Sequence, residues 1–208
     1  MDTINNFFAP LEHAIKKYQK YIRYFLYVLT FLSFWFLMMK NGTKESGEKA
    51  IFVLWIILWL PIFARVLDLG IARALMPLRK ELGILMGTLA LVHGFSFIIP
   101  NQSLLQDGTA VWGEGGPTYL FFWLIAMWLS VPLTLTSSSW AMRKMGKYWK
   151  YLHRLVYIII IFVVVHVVLL KAFRWFDYWP VIILGLYFVG KILEWCGFTL
   201  RKSGTKTY

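Results

Sequence analysis

One cysteine, Cys196, is the entire thiol content of this chain, and a lone thiol forms no intrachain disulfide. No Gly-rich strand-to-helix turn occurs, which excludes a Rossmann-type dinucleotide site and a phosphate loop. Internal repeats and low-complexity tracts are also missing. Acidic residues are few, 10 against 22 basic ones, and histidines fewer still, with four in 208 residues. What fills the chain instead is apolar: 59% of it is hydrophobic, 19% aromatic, and the mean hydropathy is +0.62. That apolar share is well above the usual one for a soluble domain and marks an integral membrane protein in contact with membrane lipid.

A membrane-crossing helix takes roughly 17 to 25 mostly apolar residues. Six runs meet that length: Tyr21 to Met39, Ala50 to Val66, Leu82 to Ile99, Tyr119 to Thr136, Leu152 to Leu170 and Tyr178 to Cys196. The second carries Pro61 and the fourth Pro132, both tolerable in a bundle where neighbours satisfy the freed carbonyls. The reading is an all-α, six-helix integral membrane bundle. It divides into a cytoplasmic or interfacial segment over 1–20, a transmembrane domain over 21–196 and a basic cytoplasmic tail over 197–208. The first segment is either an amphipathic stretch carrying Phe7, Phe8, Leu11 and Ile15 or a solvated lead-in. The first apolar run is too long and too aromatic for a cleaved signal peptide and reads as a retained helix.

A net charge of +12 invites a nucleic-acid reading, but the cations follow topology. With a cytoplasmic N-terminus, the inner segments hold Lys16, Lys17, Lys20 and Arg23, then Arg65, Arg73, Arg79 and Lys80. They continue with Arg143, Lys144, Lys147, Lys150 and Arg154, and end with Lys191, Arg201, Lys202 and Lys206. Outer loops keep only Lys40, Lys44, Lys49, Lys171 and Arg174. This is the positive-inside pattern, and it places both termini in the cytoplasm with no nucleic acid as partner. The loop from Pro100 to Thr118, acidic at Asp107 and Glu114, then lies outside. Trp112, Tyr119, Trp123, Trp175, Tyr178 and Trp179 mark the outer boundary, and Tyr148, Trp149 and Tyr151 the inner one.

Three of the four histidines sit in or at the ends of these runs, and an ionisable residue at membrane depth is a functional candidate. His93 is eleven residues past Leu82 and His166 fourteen past Leu152, so in parallel helices they stand within about 5 Å of the same level. They can face one another. His153 lies thirteen residues before His166, about 20 Å along the helix, too far for both to ligate one iron. Thirteen steps also leave these two side chains about 140° apart around a straight helix. Either the helix bends or overwinds between them, or the two imidazoles approach differently oriented groups. Axial imidazoles hold b-type haem inside helical bundles, which is the chemistry that two levels of histidine suggest. Gly83, Gly87, Ala90 and Gly94 share a helix with His93 and allow either a flat macrocycle or close helix packing. His153, beside Arg154, is equally at home in a basic inner face, and His13 reads as a surface residue.

The segment LTSSSWAMRKMGKYWKYLHRLVY, Leu135 to Tyr157, resembles the ferric-reductase-like transmembrane domain family, in particular the haem-binding membrane subunits of periplasmic methionine sulfoxide reductase systems. LPIFAR, Leu60 to Arg65, and RKELGILMGTLALVHGFSF, Arg79 to Phe97, are similar to it as well. The resemblance implies one or two haems b held by residues matching His93, His153 and His166. It implies electron flow from a cytoplasmic flavin reductase or quinol to an outer redox partner protein or ferric iron. In that branch Arg79 and Lys80 match a basic pair suited to a flavin phosphate such as that of FMN; their other reading is as topology determinants. Larger relatives carry two histidines fourteen apart on the third helix, whereas here the position fourteen before His93 is Arg79. A second haem at His153 therefore needs shared, weak or non-histidine ligation. GGPTY, Gly115 to Tyr119, lacks the basic residue that often precedes proline in the family, which counts against a molybdenum enzyme as the outer partner.

These observations lead to an expected electron-transfer subunit of a bacterial inner membrane, multi-pass and dependent on separate proteins at both ends. With no nicotinamide or flavin domain in the chain, a complete reductase is not expected. The rivals are a stand-alone quinol-dependent or ferric reductase, a histidine-lined proton or metal-ion pathway, and a haem-free scaffold.

Overall fold

Apolar runs that cannot leave backbone groups unpaired in lipid fold as helices, and the computed structural model is helical nearly throughout. It describes residues 2–40, 43–106, 108–170 and 179–199. Asp107, Lys171, Arg174, Trp175, Tyr178, Arg201, Lys202 and Lys206, with most of the basic tail, lie outside these residues. The described elements are α1 (Asp2–Lys40), α2 (Thr43–Arg65), α3 (Gly70–Leu75), α4 (Arg79–Ile98), α5 (Gln102–Gln106), α6 (Tyr119–Leu135), α7 (Ser139–Met145), α8 (Lys147–His153), α9 (Val156–Leu170) and α10 (Trp179–Trp195). Short 3-10 turns cover Met76–Leu78 and Ile99–Asn101. A two-residue hairpin pairs β1 (Trp112–Gly113) with β2 (Gly116–Pro117).

Among the described residues three stretches are long and apolar enough to cross a membrane: Glu45–Arg65, Gly70–Asn101 and Lys147–Leu170. A fourth results if α6 and α7, bent by 90° at Thr136–Ser138, count as one. The helices overrun the apolar runs in places. α2 begins seven residues before Ala50, and α1 continues through the whole of 2–40, so residues 2–20 are the first half of one helix. At 1.5 Å per residue, α1 is about 58 Å long, nearly twice the roughly 30 Å of a hydrocarbon core. Its first half lies along α3, where Asn5 Nδ2 donates to the Asp68 carbonyl and Asn5 Oδ1 accepts from Gly70 N.

The core sits where α2, α4, α9 and α10 meet, around Leu54, Leu58, Leu89, Val92, Ile160 and Tyr187. α2 packs most extensively on α4, and α6 on α9. Two glycines let α6 approach α4 closely. A Cβ on Gly87 would run into the Thr134 side chain, and one on Gly94 into Met127. The small-residue run of α4 therefore serves the close packing of α6 at these two positions. Large apolar side chains such as Phe25, Phe31, Ile182 and Ile192 remain exposed on α1 and α10, as expected where lipid is the solvent.

The helix ends sort into two sets. Arg65 at the end of α2 and Lys191 on α10 both bond Glu194, so those ends meet; Lys80 on α4 donates to Ser139 Oγ at the start of α7. We call this the basic end. At the other end, the start of α2, the later part of α4, the start of α6 and the later part of α9 come together.

Candidate functional site: a histidine pair and a basic cavity

Near the far end from the cations, His93 of α4 and His166 of α9 face each other with ring centroids 6.5 Å apart and planes at 67°. Two features fix their positions. On α2, Gly47 lies so close that a Cβ there would come within 2.9 Å of His93 Nδ1 and Cε1, so glycine is what leaves room for this ring. On α6, the Tyr119 carbonyl lies 2.9 Å from His166 Nδ1. A carbonyl only accepts, so Nδ1 carries the proton and Nε2 keeps its lone pair. That arrangement is the one metal-ligating histidines adopt, with the second ring nitrogen tied to a backbone oxygen. Trp123 sets its edge against His93 at 6.3 Å, and Phe97 packs on Trp123 at 5.4 Å, closing an aromatic wall.

The spacing has a chemical meaning. A metal–imidazole bond is about 2 Å, so two imidazoles on opposite sides of one ion have ring centres about 6 Å apart. The observed 6.5 Å matches that span. Among the described residues no group of three or more His, Cys, Asp or Glu that could hold a metal ion is found.

His153 is at the other end. Between it and His166 the chain is overwound: Leu155 N bonds Leu152 O, Tyr157 N bonds Arg154 O and Ile158 N bonds Leu155 O, all three residues back. The α-helix is interrupted there by a turn at Arg154–Leu155, and the two imidazoles face different groups, His153 toward Trp149 and Thr136 and His166 toward His93 and Tyr119. His153 is stacked on Trp149 at 4.0 Å, and its Nε2 lies 3.2 Å from Thr136 Oγ1. It meets no second imidazole among the described residues. His13, on the first half of α1, is exposed.

Thr134 and the hydroxyl residues of the motif LTSSS, Thr136 to Ser139, organise this end in different ways. Thr134 fills the notch at Gly87. Thr136 meets His153 through its hydroxyl and accepts from Trp149 Nε1 through its carbonyl at 2.9 Å. Ser137 Oγ donates back to Leu133 O. Ser138 caps α7 by accepting from Ala141 N at 3.1 Å, and Ser139 Oγ receives Lys80 Nζ at 3.1 Å. Below them opens a cavity of about 330 Å³ whose lining includes Arg79, Lys80, Ser137, His153, Arg154 and Tyr157. Arg79 and Lys80, paired only by sequence at first, thus share one cavity with His153. Arg79 Nε is buried and without a hydrogen-bond partner, a donor left over for an anionic or carbonyl group.

Two buried carboxylates at this end were not anticipated. Glu81 is 2% exposed and lies 3.7 Å from both Arg23 Nε and Lys80 Nζ, with Tyr27 Oη donating to it. Glu194 joins Arg65 and Lys191. Each lies near an end of its apolar run, where a scan for charges at mid-helix does not look.

The family model described as ferric reductase like transmembrane component matches residues 46–164. The chain belongs to this family. The match contains His93, His153 and the whole basic cavity, and stops two residues short of His166. Among curated proteins similar to this ferric-reductase-like chain is the protein-methionine-sulfoxide reductase heme-binding subunit MsrQ of Brucella ovis, 36% identical over 88 residues, 42% of this chain and 40% of that protein. MsrQ of Brucella anthropi is 32% identical over 117 residues, 56% of this chain and 51% of that protein. The aligned region thus spans about half the length, or less, of the curated relatives it matches. No solved structure matches.

Proposed function

We propose that this protein is a haem-binding electron-transfer subunit of the membrane, with His93 and His166 as the axial ligands of a b-type haem. The observation that carries the reading is the facing pair of imidazoles, 6.5 Å apart, with His166 Nδ1 held by a backbone carbonyl. Gly47 and Tyr119 position the two rings, Trp123 walls them in, and the surrounding apolar helices exclude water. A bound haem supplies reversible one-electron redox chemistry, its potential set by ligand type and burial. The names of the MsrQ relatives support haem in this chain and a methionine sulfoxide reductase as outer partner.

The basic end is the electron entry. Arg79, with its unpartnered Nε, and Lys80 bind the phosphate of a flavin such as FMN or a carbonyl of a quinone, and His153 stands at the cavity wall beneath the pair. Should a second haem bind, His153 is its ligand. The full arrangement is six membrane helices, α1 and α10 completing those around α2, α4, α6 and α9, with both termini cytoplasmic and the protein in a bacterial inner membrane. Residues 21–196 form the haem domain, 1–20 an interfacial lead-in and 197–208 a cytoplasmic tail. A cytoplasmic flavin reductase or quinol delivers electrons, and a redox protein or ferric iron outside accepts them. The rival reading as a proton pathway is disfavoured because Glu81 and Glu194 lie at the basic end, and no carboxylate gathers with the histidine pair among the described residues.

Visible spectra of the detergent-purified protein, oxidised and reduced, with haem-to-protein stoichiometry, test the reading. His93→Ala and His166→Ala are expected to lose the low-spin signal. A full haem complement in both variants would refute it. Reduction of chelated iron without any added partner would mark a stand-alone ferric reductase instead.

A further inference from the structure

The chain leaves α6 by a 90° turn at Thr136–Ser138, so α7 runs across the direction of its own span. It then enters α8 through Gly146, whose φ of +53° and ψ of −123° is a backbone shape that glycine adopts without strain. The elbow so formed, residues 139–154, is amphipathic in an unusual sense. Its outward side chains are cations and ring systems together. Arg143, Lys144, Lys147, Lys150 and Arg154 are all exposed. Trp140, Tyr148 and Tyr151 are 64%, 65% and 60% exposed. Three of the cations ride over these rings: Lys144 on Trp140 at 4.9 Å, Lys147 on Tyr148 at 5.5 Å and Arg154 on Tyr151 at 5.1 Å.

No acidic residue occurs anywhere between Gly115 and Phe176, so nothing within this stretch neutralises the five charges. Exposed Trp and Tyr beside Lys and Arg, on a helix turned across the span, match the chemistry of the membrane interface. At headgroup level such rings would find their amphipathic surroundings and the cations would meet phosphates. The span Lys147–Leu170, at about 36 Å, is longer than the roughly 30 Å hydrocarbon core, which leaves room for its first turn to stand among the headgroups. A soluble acidic protein would satisfy the charges but leave three large rings to be covered.

We propose that the elbow 139–154 is a binding site for anionic phospholipid headgroups. Lys150 and Arg154 belong both to the elbow and to the wall of the basic cavity, so the lipid sits at the cavity rim. The proposal does not depend on haem binding.

The test uses the full-length protein in vesicles of phosphatidylcholine mixed with phosphatidylglycerol. After mild detergent extraction, the ratio of the two lipids retained per protein is measured by native mass spectrometry. Replacing Arg143, Lys144 and Lys147 together by Gln is expected to lower retained phosphatidylglycerol roughly tenfold, from the strong attraction each interfacial cation exerts. Replacing Lys16, Lys17 and Lys20 by Gln removes the same charge from α1 and is expected to change it less than about twofold. Lys144→Arg with Lys147→Arg should keep the preference, and thermal stability of each variant reports on folding. Equal losses for the two Gln triplets, or an unchanged lipid ratio in the elbow triplet, would overturn the site; the second result would leave the elbow as a face for an acidic protein.

Discussion

The two ends of the layer formed by α4, α6 and the α8–α9 span present opposite surroundings. At one end, imidazole meets imidazole among Trp123, Phe97 and Tyr119, with a backbone carbonyl as the polar partner of His166. At the other, His153 lies among Thr136, Arg79, Lys80 and Arg154 around an open cavity. One end is aromatic, with two imidazoles facing each other. The other is cationic and lines a cavity. A histidine's surroundings here therefore change with its level in the bundle.

The comparison breaks most completely at Gly47. Gly47→Leu drives a side chain into the space of His93, and we expect it to abolish the low-spin haem spectrum as fully as His93→Ala while leaving the basic cavity intact. If the spectrum survives, the pair is not the haem site. Next comes Gly87→Ala, which forces Thr134 aside between the two ends. Overpacking of this kind costs about 1–3 kcal/mol, readable as lowered thermal stability in detergent. Arg79→Gln sharpens the contrast from the basic end. Reduction by a flavin or quinol donor should slow about tenfold, in keeping with loss of one charge-assisted hydrogen bond, with dithionite reduction unchanged in stopped-flow. Equal slowing with both reductants would place Arg79 in the haem's own surroundings. The smallest effect is at the α7 cap: Ser138→Ala should cost about 1 kcal/mol and leave the spectrum alone, since only the Ala141 N–H loses its partner.

Much of this is legible in the order of residues. The levels of His93 and His166 follow from counting residues up two parallel helices, and the rings do meet. The cations of Arg65, Arg79, Lys80 and Lys191 were placed together by the loop-charge pattern, and they share one end. Other features were not legible. Nothing in a local window shows that Gly47, 46 residues from His93, is its neighbour, or that Thr136 reaches His153 and Ser139 meets Lys80. Glu81 and Glu194 each lie near the end of an apolar run, where sequence marks no burial, yet helix packing covers both side chains. The small residues of α4 were open to two uses, and only the position of α6 decides for packing at Gly87 and Gly94.

By itself the sequence determined that the chain is a helical membrane protein with histidines at two heights, because helix rise and lipid thickness convert residue counts into depth. Tertiary structure alone decided which face each imidazole presents and what stands behind it. Rotation about a helix axis is set by the packing of neighbours and by a few overwound peptide units after His153, and neither leaves a periodic trace in the order of residues.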